Sequence, residues 1–252
     1  HQFLVKHETE TSTGLELQEA CEVLRSVVQH QPVENGTTAS LSVNHTGLLR
    51  RLLRVLDNHQ LTMADLHLDA DTAHRLGLAS SHLQRYEWAE GALGVAYQLS
   101  PGHASVLEGL EHIARPRGDD ALYRHWLEAR MKLTPDDPAL LRAHAHLLAS
   151  MGDEDAERAV RRLEALGVDT AADRSLLSGL RARAGARTEA IEAITQALEE
   201  DPSRSADWLH YAQLLEAEGE HELALEANER CLTLDRQCGE AWALKARLLS
   251  EK

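Results

Sequence analysis

Two small groups of polar residues have the types and spacing that could hold a metal ion. His144 and His146 lie two positions apart, and His67, Asp69, Asp71 and His74 are clustered in one short stretch. Imidazoles and carboxylates are common ligands of divalent metals. Residues two apart on a helix point to different sides, however, and the two aspartates are well placed to cap a helix that starts beside them. The sequence therefore predicts no metal site and no cofactor.

Motifs of known catalytic chemistry are missing from the chain. There is no Gly-rich phosphate loop, no Gly-x-Ser-x-Gly, no His-Glu-x-x-His and no paired Cys-x-x-Cys. The three cysteines, Cys21, Cys231 and Cys238, are sparse and odd in number, which favours a reducing compartment. Cys231 falls within a predicted helix and is expected to be a small buried thiol. We predict no catalytic residue and a protein that is not an enzyme.

Composition and charge restrict the possible partners. Ala, Leu, Glu and Arg are abundant in the 252 residues, which favours helix throughout, and no stretch alternates with period two. The net charge of −15 opposes binding to nucleic acid or to an anionic membrane. No apolar run is long enough to span a bilayer. We expect a soluble, cytoplasmic protein; because the chain begins at His1 and not Met, the alternative is an exported protein that has lost an N-terminal signal.

Two short helices separated by a turn are predicted between Ala206 and Arg236. Trp208 begins the apolar pattern of the first helix, and Gly219 lies in the turn, where a left-handed residue can end that helix. Ala212 and Ala224 are small residues at positions where two antiparallel helices could approach closely. The stretch therefore predicts a helical hairpin.

The same pattern returns further along the chain, where Trp242 is followed by Ala246 as Trp208 is by Ala212. A period of about 34 residues built from helix–turn–helix units indicates stacked hairpins. With these residues in view, the stretch resembles a tetratricopeptide repeat (TPR), and the resemblance extends back to residue 70. The motif positions of the first repeat hold Leu76, Gly77, Tyr86, Ala89, Ala96 and Pro101.

The resemblance implies an all-α fold, a right-handed α-solenoid of about five helix–turn–helix repeats. The expected repeats are residues 70–103, 104–137, 138–170, 171–204 and 205–238, with 239–252 as a C-terminal closing helix. Residues 1–69 do not fit the repeat and are predicted to be an N-terminal non-repeat helical segment that docks on the first repeat. Within this segment, a basic amphipathic helix is predicted from about Thr46 to Leu56, and its leucines Leu48, Leu49, Leu52 and Leu53 are expected to cap the first repeat. The alternative is that this helix binds a membrane or an acidic partner.

The second repeat departs from the family pattern. Glu111 and Tyr123 stand where the family has small residues, so its helices are expected to pack less closely. The run from Arg115 to Gly118 contains Pro116 and predicts an early end to the first helix. Two interpretations remain open, a local adjustment in which Tyr123 fills the gap and a functional bend.

In the TPR family, the first helix of each repeat lines a concave groove. The resemblance therefore implies a partner-binding face that contains His74, Glu108, His112, Arg115, Arg142, His146 and Arg183. The Lys and Asn pattern of the members that bind acidic chaperone tails is missing, so this ligand is not predicted.

We interpret the chain as a non-enzymatic scaffold that binds a peptide or protein segment, of acidic or polar character, in this groove. One alternative is a regulatory or substrate-docking region of a larger transferase-type enzyme. Another is a structural subunit of a multiprotein assembly that contacts partners by its edges and ends. The sequence makes no prediction of oligomeric state.

Overall fold

A computed structural model of the chain describes residues 33–34, 37–38, 50, 53–54, 57, 66 and 68–250. Every regular element of residues 68–250 is helical, as the composition predicts. The short strands β1 (Val33–Glu34) and β2 (Thr37–Thr38) pair antiparallel, with Val33 opposite Thr38. No described helix is both long and apolar enough to cross a membrane.

The α-helices between residues 68 and 250 follow one another with short connections. They are α1 (Ala70–His82), α2 (Tyr86–Leu99), α3 (Ala104–Ala114), α4 (Asp120–Leu133), α5 (Pro138–Met151), α6 (Asp155–Ala165), α7 (Ala171–Arg183), α8 (Arg187–Glu200), α9 (Ser205–Ala217), α10 (His221–Leu234) and α11 (Gly239–Ser250). The odd-numbered helices begin at nearly equal intervals along the chain. Each of the odd-numbered helices from α1 to α9 forms a hairpin with the helix that follows it, and α11 is the last helix described. We call the odd-numbered helices the first helices.

The chain divides into two compact units, unit 1 up to Leu133 and unit 2 from Thr134 onward. In unit 1, buried leucines and alanines of α1 and α2 form one core with α3, which includes Leu76, Leu93 and Leu110. In unit 2, small and large apolar residues of α5 to α11 form a row of buried clusters. A single hairpin cannot bury its own apolar face, so stacking of neighbouring hairpins supplies the core.

Part of the predicted N-terminal cap can be placed on unit 1. Leu53 is 1% exposed and belongs to the unit 1 core. Asp57 accepts a hydrogen bond from Trp88 Nε1 at 2.6 Å and a second one from the Arg85 guanidinium. The other three leucines of the predicted face, Leu48, Leu49 and Leu52, lie outside the described residues. Capping of the first repeat by that face stays a prediction.

Turns inside the hairpins use a left-handed residue to end the first helix. Gly152, Gly185 and Gly219 have φ of 72°, 82° and 81° at this place. In the hairpin of α1 and α2 the same place holds Gln84, with φ of 57°. A side chain in this conformation costs roughly 1–2 kcal/mol relative to glycine. The first hairpin therefore keeps a strained residue where the later ones have none.

The second hairpin shows the early helix end that the sequence predicts. Helix α3 stops at Ala114, a 3₁₀ turn covers Arg115–Arg117, and Gly118 follows with φ of 67°. Tyr123 of α4 is 7% exposed, and burial raises the pKa of its hydroxyl. Glu111 forms an ion pair with Arg130 of α4. The two unusual residues of this repeat are therefore accommodated locally, one by burial and one by an ion pair.

Candidate partner-binding site

Three of the predicted partner-binding residues form an exposed row in unit 1. Glu108, His112 and Arg115 lie at positions i, i+4 and i+7 along α3 and its 3₁₀ extension, so they share one face. All three are exposed, and none of their side chains makes a hydrogen bond or an ion pair within the described part of the chain. We call these three residues the α3 row. It offers a permanent positive charge, an imidazole and a carboxylate to a ligand.

His74 is not exposed in the structure. Its side chain is 5% exposed, and its Nε2 lies 2.8 Å from Ser105 Oγ of α3. The His103 ring lies 5.2 Å away between centroids. Burial, together with the neighbouring His103, lowers the pKa of His74. This residue therefore joins the first helices α1 and α3 inside unit 1 and is not freely presented to a ligand.

Arg142 in unit 2 is held by two internal contacts. Its Nε donates to Asp173 Oδ2 at 2.8 Å, and its guanidinium also donates to the Val168 carbonyl. Asp173 is 1% exposed and accepts from the backbone and hydroxyl of Thr170, which caps α7. Because a buried carboxylate needs a charged or hydrogen-bonded partner, Arg142 stabilises the junction of α5 and α7.

Arg183 and His146 complete the predicted set in unit 2. The Nη1 of Arg183 donates to the Ala149 carbonyl of α5 at 3.2 Å, although the residue is exposed. His146 is exposed on α5 and makes no hydrogen bond or ion pair with any described residue. Four of the seven residues, Glu108, His112, Arg115 and His146, therefore make no side-chain hydrogen bond or ion pair with the residues that the structure describes.

Within the described residues, which do not include His67, neither candidate metal cluster gathers ligands. Asp69 Oδ1 accepts from the backbone of Thr72 at 3.0 Å and Oδ2 from its hydroxyl at 2.8 Å, so this aspartate caps α1 as predicted. Asp71 forms an ion pair with Arg75. Among the residues that the structure describes, no group of three or more His, Cys, Asp or Glu side chains could hold a metal ion.

Sequence reasoning missed two polar contacts between the first helices α7 and α9. Ser178 Oγ lies 3.0 Å from His210 Nε2 and also donates to the Ala190 carbonyl, while Ser175 Oγ donates to Asp207 Oδ1 at 2.7 Å. Burial lowers the pKa of His210. Each pair spans 32 positions, just under one repeat. Polar residues repeated at that spacing are the signal that could have identified them.

Cys231 is buried, as the sequence predicts. It is 1% exposed, and burial together with the nearby Cys238 thiol raises its pKa to about 11. A thiol with so high a pKa is almost entirely protonated at neutral pH and is a poor nucleophile. Cys231 therefore packs as an apolar residue of the α9–α11 core.

Helical hairpins that recur at a nearly constant interval define a helical-repeat protein. Residues 181–248 match the family model described as Tetratricopeptide repeat. The resemblance seen in the sequence is therefore confirmed by a family match over residues 181–248. No curated protein matches the chain in sequence.

Solved structures of TPR proteins share this fold at low sequence identity. YrrB, described as a TPR protein with an unusual peptide-binding site, has a TM-score of 0.60 at 15% identity, over 77% of this chain and 97% of YrrB. A MamA segment from Desulfovibrio magneticus RS-1 has a TM-score of 0.58 at 16% identity, over 68% of this chain and 97% of the segment. PilF of Pseudomonas aeruginosa reaches 0.55 at 18% identity, over 72% of this chain and 83% of PilF.

Proposed function

We propose that this chain is a non-enzymatic scaffold that binds a peptide or protein segment through its first helices. The observation that carries the proposal is the α3 row, three ionisable side chains on one helix face with no partner in the described chain. Two other members of the predicted set, His74 and Arg142, are satisfied internally. Binding residues on a rigid element lose little freedom when a ligand arrives, which lowers the cost of association.

The chemistry of the α3 row suits an acidic or polar segment. Arg115 can bind a carboxylate through two parallel hydrogen bonds. His112, one turn earlier, can donate to the same segment, and Glu108 can accept from a backbone N–H or a hydroxyl. We propose the same role for the exposed His146 in unit 2. The net charge of −15 gives nucleic acid no long-range attraction to this protein.

The engaged residues of the predicted set have a supporting role in this proposal. His74, Arg142 and Arg183 each contact the next or the preceding first helix, and these contacts fix the spacing of the helices. A peptide-binding face needs that spacing, because its contacts come from more than one helix. YrrB, which has the same fold, is described as having a peptide-binding site.

The proposal can be tested by photo-crosslinking followed by titration. A benzophenone amino acid at position 112 should capture a partner from native extract, whereas the same group at Gln98, exposed on the second helix α2, should not. Once the partner is identified, the His112→Ala/Arg115→Ala variant should bind it with a loss of roughly 2–4 kcal/mol if both contacts are hot spots.

A matched control distinguishes the loss of the α3 row from the loss of any exposed positive charge. Arg158→Ala on α6 also removes an exposed arginine, and it should leave the affinity unchanged. Equal capture from positions 112 and 98, or unchanged affinity of the double variant, would show that the partner uses another surface.

A further inference from the structure

Two cysteines lie together where α10 leads into α11. Cys231 is in the last turn of α10, and Cys238 immediately precedes α11. Both are present as thiols, and Cys238 packs against the apolar cluster that contains Cys231. The two side chains are close enough for a hydrogen bond between their sulfur atoms. We call Cys231 and Cys238 the thiol pair.

The backbone between α10 and α11 brings the thiol pair together. The Cys231 carbonyl accepts from the Asp235 N–H at 2.8 Å, and the Asp235 carbonyl accepts from the Cys238 N–H at 3.4 Å. These two hydrogen bonds turn the chain back within the seven positions that separate the cysteines. The turn that a disulfide would need is therefore already present in the reduced protein.

The preceding repeat forms the same turn without cysteines. Ala197 and Arg204 stand 34 positions before Cys231 and Cys238. The carbonyls of Ala197 and Cys231 accept the same backbone hydrogen bond, at 2.9 Å and 2.8 Å. Ala197 is buried and Arg204 is partly exposed, and the two cysteines have these same environments. One buried and one accessible position are therefore properties of the repeat, and the turn needs a thiol at neither.

The two thiols differ in access and in their hold on a proton. Cys231 is 1% exposed, and burial, with contributions from Cys238 and Asp235, raises its pKa to about 11. The hydrogen bond between the thiols also raises this pKa, so it stabilises the protonated form of Cys231, which therefore donates to the Cys238 sulfur. Because Cys238 is partly exposed, it is the thiol that a reagent in solution meets first.

We propose that the thiol pair is a modification site, at which a small-molecule disulfide oxidises Cys231 and Cys238 to an intramolecular disulfide. The Cys238 thiolate attacks one sulfur of the reagent, so a mixed disulfide forms and the other half of the reagent leaves as a thiolate. The Cys231 thiolate then attacks the Cys238 sulfur, and the second half leaves in the same way. The reagent gains two electrons and the two protons of the pair, and becomes two thiols.

The product ties the end of α10 to the start of α11. The thiol pair shares no residue with the α3 row, so its test does not depend on the proposed function.

Tryptic digestion detects the cross-link directly. The full chain, with Cys21→Ser so that the thiol pair alone remains, is treated with oxidised glutathione under native conditions at pH 8.5 and then blocked with N-ethylmaleimide. Trypsin cleaves after Arg236, so the two cysteines fall on separate peptides, 231–236 and 237–245. We expect mass spectrometry to show these peptides joined by a disulfide. Unlinked peptides, with or without glutathione on Cys238, would overturn the proposal.

Two variants test the role of each thiol. Cys231→Ala introduces the residue that the preceding repeat has at this place, and it should accumulate glutathione on Cys238 because no thiol resolves the mixed disulfide. Cys238→Ser should leave Cys231 unmodified, because the reagent does not reach the buried thiol. Far-ultraviolet circular dichroism checks that both variants remain helical. A disulfide between two chains, seen by non-reducing electrophoresis, would contradict the proposal, and so would equally fast modification of Cys231 in Cys238→Ser.

The rate of the second step identifies the group that attacks. Only the thiolate is a nucleophile, and burial keeps the pKa of Cys231 well above neutral pH. Closure of the mixed disulfide should therefore accelerate about tenfold for each pH unit between 7 and 9. Samples quenched with acid at intervals and weighed by mass spectrometry give this rate. A rate that is constant over this range would exclude Cys231 as the resolving thiol.

Oxidation should also restrict α11. The disulfide joins Cys231 to the residue before this helix, so it opposes opening of the first turn of α11. Amide hydrogen exchange there should be slower in the oxidised protein than in the reduced protein, and dithiothreitol should reverse the change. Cys231→Ala, treated in the same way, is the matched control and should show no slowing. Equal exchange in the oxidised and reduced wild type would refute the claim that the disulfide ties α10 to α11.

Discussion

The close approach of α1 and α2 at Gly77 leads to a quantitative prediction. A Cβ atom added to Gly77 would lie 2.4 Å from Leu93 Cγ and 3.1 Å from the Leu93 backbone nitrogen. Leu93 is fully buried, so its side chain has no open space to move into. A new rotamer would also leave the backbone contact in place. Gly77→Ala therefore forces the two helices apart, at a cost of about 1–3 kcal/mol for overpacking.

Gly94→Ala in α2 is the matched control. A Cβ at Gly94 meets nothing within 4 Å, so this variant shows only the gain of replacing glycine by alanine in a helix, about 0.5–1 kcal/mol. Both variants share that gain, and the difference between their free energies of unfolding isolates the steric cost. We expect Gly94→Ala to be more stable than Gly77→Ala by about 1–3 kcal/mol.

The assay is urea denaturation of the full chain followed by far-ultraviolet circular dichroism. A double-mutant cycle adds Leu93→Ala, which removes the side-chain atoms that the new Cβ meets and leaves only the contact with the backbone nitrogen, so Gly77→Ala should cost less in that background. If Gly77→Ala stabilises the protein as much as Gly94→Ala does, the reasoning from helix proximity is wrong.

Three further predictions concern local features of the two units. Gln84→Gly should raise the free energy of unfolding by roughly 1 kcal/mol, because it relieves a left-handed side chain; a loss of stability in urea would contradict this. The pKa of His74 is lowered in the folded state, so the unfolded chain binds the proton more tightly. Its contribution to stability is complete above the ordinary histidine pKa of 6.5 and is lost as pH falls below it. His74→Gln should make the melting temperature less dependent on pH between 7 and 5, and an unchanged profile would exclude His74 as the cause. Asp173→Ala should cost roughly 2–4 kcal/mol, because it removes the N3 half of the α7 capping box and the partner of Arg142; Arg142→Ala, which leaves the capping box intact, should cost less by the same urea assay.

Much of the fold could be predicted from sequence because its signals are local. Asp69 caps the start of α1 with a side chain that accepts hydrogen bonds from Thr72. Gly152, Gly185 and Gly219 supply the left-handed residues of the turns. The early end of α3 follows from Pro116 in the same way. Each of these features depends on a few neighbouring residues, so no knowledge of the tertiary structure is needed to see them.

Gln84 shows where local reasoning stops. Nothing in its residue type favours a left-handed conformation, yet the turn between α1 and α2 imposes it. The turn is set by the packing of two helices whose buried faces are joined at Gly77 and Leu93. A residue can be held in a strained conformation when the structure around it gains more than the strain costs.

The sequence by itself determined the helical class, the period of the repeat and the helix ends, because periodicity, caps and turn residues act over a few positions. Only the tertiary structure decided which polar side chains remain available to a partner. His74 and Arg142 are bound to residues 31 positions away, whereas His112 and Arg115 are bound to none of the described residues. Whether a polar side chain is engaged depends on which helix packs beside it, and that neighbour is a property of the folded chain.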